Sequence, residues 1–120
     1  MKILIVEDEP NIVTSLEFLM ARHGHEVRVA GDGDAALREA ERFDPDLVLL
    51  DVMLPRRNGY EVCQALREDP HHAGTKILML TAKGRDAERA KGLGVGADAY
   101  VTKPFSTREL VECVEALLAA

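Results

Sequence analysis

Leu47-Val48-Leu49-Leu50-Asp51-Val52-Met53-Leu54-Pro55-Arg56-Arg57-Asn58-Gly59 is the stretch that decides the fold. Successive side chains of a strand point to opposite faces of its sheet. The four apolar residues Leu47 to Leu50 therefore leave no polar face, and a strand of that kind is covered on both sides. The run ends on an aspartate. Pro55 to Asn58 reads as a turn, and a helix is expected from Gly59 to about Glu68, with Asn58 as cap and Glu61 in the third position.

The same pattern spreads outward in both directions. Ile3 to Val6 is apolar and runs into Glu7-Asp8-Glu9, and Ile77 to Leu80 is apolar and runs into Thr81. Ala99 to Val101 is a short last strand leading to Thr102-Lys103. Glu26 to Ala30 alternates, which suits a less buried edge strand. Helical periodicity fills the gaps. Asn11 to Arg22 carries Ile12, Leu16, Leu19 and Met20 on one face, and Asp34 to Phe43 follows Asp32 as N-cap. Asp86 to Leu93 is a short helix weakened by Gly92, Gly94 and Gly96 at its end. Ser106-Thr107-Arg108-Glu109 is a capping box that opens a final helix burying Leu110, Val114, Leu117 and Leu118. Strand and helix alternate five times with short connections. That predicts one α/β domain over residues 1–120, a doubly wound five-stranded parallel sheet flanked by five helices.

Composition narrows the function. The chain has 120 residues, 47% hydrophobic and 30% charged, enough for one soluble domain with its own core. The net charge of -6 and the scattered basic residues argue against direct nucleic-acid binding. No apolar run approaches the ~20 residues needed to span a bilayer, so no membrane partner is expected. The apolar start is too short for a signal-peptide core, which points to the cytoplasm. Cys63 and Cys113 lie far apart in helical patterns and read as reduced packing residues. His23 with His25, and His71 with His72, lack the spacing of helical metal ligands.

In an open parallel sheet, ligands bind outside the carboxyl ends of the strands. Glu7, Asp8, Asp51, Thr81 and Lys103 all stand at such ends. Three neighbouring carboxylates repel one another, and Lys103 supplies a single counter-charge. A hard divalent cation suits that surplus, and Mg²⁺ pairs well with one or two carboxylates plus phosphate oxygens. With the Thr81 hydroxyl these groups suit a transferred phosphoryl group, a carboxylate being the nucleophile. Singly, each residue is ordinary: an aspartate after a strand is usually a cap, and a lysine is usually solvated. The signal is their coincidence at four strand ends.

On these motifs the chain resembles the receiver domain of bacterial response regulators, the CheY-like phosphoproteins of two-component systems. The matching stretches are Lys2 to Glu9, Asp51 to Pro55 with Gly59, Leu80 to Lys83, Gly96 to Tyr100, and Lys103-Pro104-Phe105. The resemblance implies a flavodoxin-like sheet of order 2-1-3-4-5. It implies that Asp51 takes a phosphoryl group from a phosphohistidine of a histidine kinase or histidine phosphotransfer protein. Asp8, Asp51 and the backbone carbonyl of Met53 would ligate Mg²⁺, with Glu7 acting through water. Lys103 would pair with Asp51 and then with its phosphate, and the Lys103-Pro104 bond would be cis. Thr81 and Tyr100 would form the switch, remodelling the surface of the predicted helix over 86–93, the fifth strand and the last helix. Such a domain is not an enzyme with external substrates; it assists its own phosphorylation and dephosphorylation and signals to a downstream protein or output domain.

Three features refine that expectation. Winged-helix regulators often carry two acids before the strand-five aromatic and basic residues on the last helix. Here Ala99 follows Asp98, and the last helix carries Glu109, Glu112 and Glu115 with only Arg108 basic. A monomer or weak dimer is therefore expected. With no room for an output domain before Ala120, the chain reads as a stand-alone regulator or a receiver cut from a larger one. The alternatives fare worse. A phosphate-independent interaction module would not need the intact acid, threonine and lysine set. A flavin carrier needs a phosphate-cradling loop where Glu7-Asp8-Glu9-Pro10 stands, and an aspartyl phosphatase usually has a second Asp where Met53 stands.

Overall fold

The computed structural model describes residues 1–81 and 96–120. The elements in chain order are β1 (Lys2–Val6), α1 (Pro10–Arg22), β2 (Glu26–Ala30), α2 (Gly33–Phe43), β3 (Leu47–Asp51) and α3 (Gly59–Glu68). A 3₁₀ turn (Pro70–His72), β4 (Lys76–Thr81), β5 (Ala99–Thr102) and α4 (Thr107–Ala119) follow. The helix predicted over Asp86 to Leu93 falls outside the described residues, which contain four α-helices.

All five strands pair in parallel in the order β2-β1-β3-β4-β5. Their side chains divide the core by strand parity. Leu4, Val6, Val48, Leu50, Ile77 and Met79 face α2 and α3, where Ala36, Ala40, Phe43, Val62, Cys63 and Leu66 meet them. Ile3, Ile5, Leu47, Leu49, Leu78, Leu80 and Val101 face α1 and α4 through Leu16, Met20, Leu110 and Val114. β3 is buried at every position, and β2 alternates exposed and half-buried residues up to Ala30, as the two sequence patterns require. Each fully buried aliphatic side chain contributes about 1.5–3 kcal/mol.

The helix starts show which local rules operate. Glu9 caps α1 by accepting from the Asn11 N–H at 3.0 Å, so the helix begins at Pro10, one residue before the expected Asn11. Proline fits a first helical position because that N–H has no intrahelical partner. Asp32 caps α2 as expected, and Asn58 and Glu61 form both halves of a capping box on α3. On α4 the Ser106 hydroxyl accepts from the Glu109 N–H at 3.0 Å. Leu110 and Val114 are buried there, but Leu117 and Leu118 are only half-buried, a correction to the expected four-residue core face. They lie in the last turns of the helix and pack against that core as partly buried side chains.

One polar brace joins α3 to the start of β5. The Arg67 guanidinium donates to the carbonyls of Gly96 (2.8 Å), His72 (3.1 Å) and Thr75 (2.7 Å) and to Asp98 Oδ2 (2.6 Å). The same Asp98 oxygen accepts from the Ile77 N–H at 2.7 Å. Asp98 is thus committed within its own chain. Removing Arg67 leaves Asp98 and three backbone carbonyls without their bonds, and removing Asp98 leaves the Ile77 N–H and one arm of the guanidinium without theirs. Asp98→Ala and Arg67→Met are each expected to lower unfolding free energy by about 1–3 kcal/mol, and the double variant by less than the sum because the two share one network. Urea titration of the four proteins checks this.

Candidate functional site

The sheet order places β1 between β2 and β3, so the chain winds away from β1 in both directions. The crevice outside the carboxyl ends of β1 and β3 is where the sequence puts its acids. Carboxylate oxygens of Glu7, Asp8 and Asp51 lie within 4.8 Å of one another. Glu7 (1% exposed) and Asp51 (4%) are buried, whereas Asp8 is exposed.

Lys103 enters this cluster from the segment after β5. Its Nζ lies 2.8 Å from Glu7 Oε2 and 3.4 Å from Asp51 Oδ1. The pairing expected with Asp51 is therefore shared, and the shorter contact goes to Glu7. Glu7 is further fixed by the Glu9 N–H, which donates to Oε1 at 3.3 Å. Asp51 Oδ1 also accepts from the Met53 N–H at 3.3 Å. Lys103 is itself anchored: its backbone N–H donates to the Thr81 carbonyl, and the Lys103-Pro104 peptide bond is cis.

The charges follow from this geometry. Burial, reinforced by the Glu7 carboxylate, raises the Asp51 carboxyl from its ordinary 3.8 to about 6, against the opposing pull of Lys103 and the Met53 N–H. Burial works against the Lys103 charge, but the hydrogen bond to Glu7 and the charges of Asp51 and Glu7 outweigh it and hold the ammonium above its ordinary range. Among the described residues, three carboxylates face one ammonium. An oxygen-only donor set of this kind, with surplus negative charge, fits a hard divalent cation.

The remaining site residues stand around this centre. Thr81 ends β4 and is buried, and Asp51 is in register with its neighbour Leu80. Tyr100 on β5 pairs with Met79 and packs, half-buried, against the core on the α2–α3 side. Met53 is 71% exposed. Lys83, named in the sequence motif, lies outside the described residues. Spacing alone did not show why Gly59 is needed. A Cβ there would run into the Asp51 carbonyl oxygen and the Val52 Cα, so α3 packs directly against the backbone that carries Asp51. The Gly59 N–H donates to the Val52 carbonyl at 2.8 Å.

Residues 3–115 match the response regulator receiver domain family. The chain is 50% identical over 117 residues to the alkaline phosphatase synthesis transcriptional regulatory protein PhoP of Bacillus subtilis, covering 98% of this chain and 48% of that protein. It is 45% identical to the sensory transduction protein RegX3 of Mycolicibacterium smegmatis, covering 97% of this chain and 50% of that one. The chain thus spans about half the length of the curated relatives it matches. Among solved structures, the BeF₃-activated receiver domain of Klebsiella pneumoniae RstA superposes with a TM-score of 0.93 at 32% identity, both chains fully covered. The receiver domain of the sensor histidine kinase PA1611 from Pseudomonas aeruginosa, which has magnesium coordinated in its active-site cleft, superposes with a TM-score of 0.91 at 32% identity, covering 99% of this chain and 98% of that one. With its sheet order, its acid cluster and these likenesses, the chain belongs to the response regulator receiver domains, the phosphoacceptor switches of two-component signalling.

Proposed function

We propose that Asp51 accepts the phosphoryl group, taken from a phosphohistidine of a sensor kinase or phosphotransfer protein, and that the chain's own site assists both its gain and its loss. The observation that carries this reading is a buried carboxylate sharing one ammonium with Glu7 beside the exposed Asp8. An Asp51 oxygen attacks phosphorus as the phosphorus–nitrogen bond breaks, and the electron pair leaves with the imidazole. The product is an acyl phosphate.

The other residues act on charge and position. Lys103 neutralises oxygens on the incoming group and stays charged to do so. Thr81 donates its hydroxyl to a phosphoryl oxygen. Asp8, Asp51 and the Met53 carbonyl would hold Mg²⁺, with Glu7 acting through water because its own oxygens are taken by Lys103 and the Glu9 N–H. Bound there, Mg²⁺ supplies positive charge against the phosphoryl oxygens. Movement of Thr81 toward the phosphate makes room for Tyr100 to turn inward, which changes the surface around β5 and α4 read by a downstream partner. An apolar groove of about 640 Å³, lined by Ile12, Leu16, Leu19, Pro104 and Phe105, shares Lys103 with the acid cluster. A donor protein seated there would present its phosphohistidine beside Asp51.

Incubation with acetyl phosphate and Mg²⁺, followed by intact-mass spectrometry, tests the assignment. The wild-type chain is expected to gain one phosphoryl group, and Asp51→Asn or excess chelator to abolish the gain. Phosphorylation of Asp51→Asn at the wild-type rate would sink it.

Asp51 also predicts a pH dependence in metal-free protein. Its folded value of about 6 lies above its ordinary 3.8, so between the two the folded chain keeps a proton that the unfolded chain has lost. Stability contributed by this group therefore falls as pH rises through that window, and the ionised carboxylate is a net burden above it. In chelator at neutral pH, Asp51→Asn is expected to be more stable than wild type by about 3 kcal/mol. The gap should close as pH falls to about 4, near the unfolded value, as measured by denaturant titration across pH.

A further inference from the structure

The loop between β3 and α3 carries Met53 and has two sets of ties. Its inner ties are to the sheet and to α3: the Val52 N–H donates to the Leu80 carbonyl at 3.1 Å and the Gly59 N–H to the Val52 carbonyl at 2.8 Å. Its outer ties run to the first turn of α2, which contributes nothing to the acid cluster. The Gly33 N–H donates to the Pro55 carbonyl at 3.3 Å. Arg57 Nε lies 2.7 Å from Asp34 Oδ1, and Arg56 Nε lies 3.6 Å from Asp32 Oδ2. The fit is tight, because a Cβ on Gly33 would run into the Arg57 backbone and Cβ.

The loop also stores strain. Arg56 has φ 68°, a left-handed conformation that a long side chain rarely adopts. Such a residue persists only where its surroundings hold it, at a cost of order 1–3 kcal/mol. Among the described residues, a tight turn closes around Arg56 within the loop, the Arg57 N–H donating to the Pro55 carbonyl at 2.8 Å, and the first turn of α2 holds that turn from outside. Asp32 does two things at once: Oδ1 caps α2 through the Ala35 N–H at 2.8 Å, and Oδ2 faces Arg56.

We propose that the first turn of α2 is a positioning element for the phosphoacceptor loop, with the Arg57–Asp34 pair over Gly33 fixing where the Met53 carbonyl stands and thereby how tightly the acid cluster holds Mg²⁺. The inference rests on the proposed Mg²⁺-dependent reading of the site. Arg57 and Asp34 touch none of the acid-cluster side chains; they act through the backbone between Pro55 and Met53. The pair is half-exposed, so its effect is smaller than that of a buried metal-supporting partner and sensitive to salt.

Isothermal calorimetry of Mg²⁺ binding, with thermal denaturation of the same samples in chelator, tests it. Arg57→Met and Asp34→Asn are each expected to weaken Mg²⁺ binding by about three- to tenfold, below the range for direct outer-shell partners. Arg57→Lys, which keeps the charge, should recover affinity to within about twofold of wild type, and the gap between wild type and Arg57→Met should narrow at about 1 M NaCl. Lowered thermal stability with unchanged Mg²⁺ affinity would overturn the proposal, because a merely structural brace would act that way. Wild-type and Arg57→Met affinities that agree at low salt would overturn it too. A wild-type chain that binds no Mg²⁺ would instead overturn the reading of the site on which the proposal rests.

Discussion

The ammonium of Lys103, shared between the buried carboxylates of Glu7 and Asp51, is the contact on which the functional end of this molecule depends. Burial and the Glu7 carboxylate beside it drive Asp51 toward its protonated form, and Lys103 opposes them. Among the described residues, one lysine faces these two acids, too little to neutralise the cluster once Asp8 is counted. The site is therefore both folded and still attractive to cations.

The sheet exists to bring those charges to one place. β1 and β3 lie side by side only because the winding order reverses between them, and that reversal opens the crevice. β4 and β5 then bring Thr81 and Lys103 to the same rim through parallel registers that end together, Thr81 opposite Thr102. α3 is drawn against the carbonyl of Asp51 by a glycine, and α2 supports the loop between them from outside. The helices on this side of the sheet thus serve the site through backbone, while α1 and α4 cover the other face through Leu16, Met20, Leu110 and Val114.

Much of this was legible from the residues. Ile3–Val6, Leu47–Leu50 and Ile77–Leu80 announce strands covered on both sides because no polar residue interrupts them, and Glu26–Ala30 announces an edge by alternating. The acids, Thr81 and Lys103 could be assigned to one rim because strand ends in a parallel sheet share a direction. What one-dimensional pattern could not reveal is who pairs with whom. Lys103 divides itself between two acids by distances that only packing sets. Leu117 and Leu118 have the helical spacing of core residues, yet in the fold they only pack against the core as partly buried side chains. Asp98 looks like a surface acid until Arg67 is found to reach it from α3.

Residue 7 and residue 103 stand 96 positions apart in the chain, and their side chains meet at 2.8 Å. Closing so long a segment is entropically unfavourable, although the penalty grows only slowly with length. No half of the molecule can therefore retain the charge balance by itself. An opening that frees β5 and its following segment strands Glu7 in the same event, so the rim is not an autonomous loop that frays independently of the core.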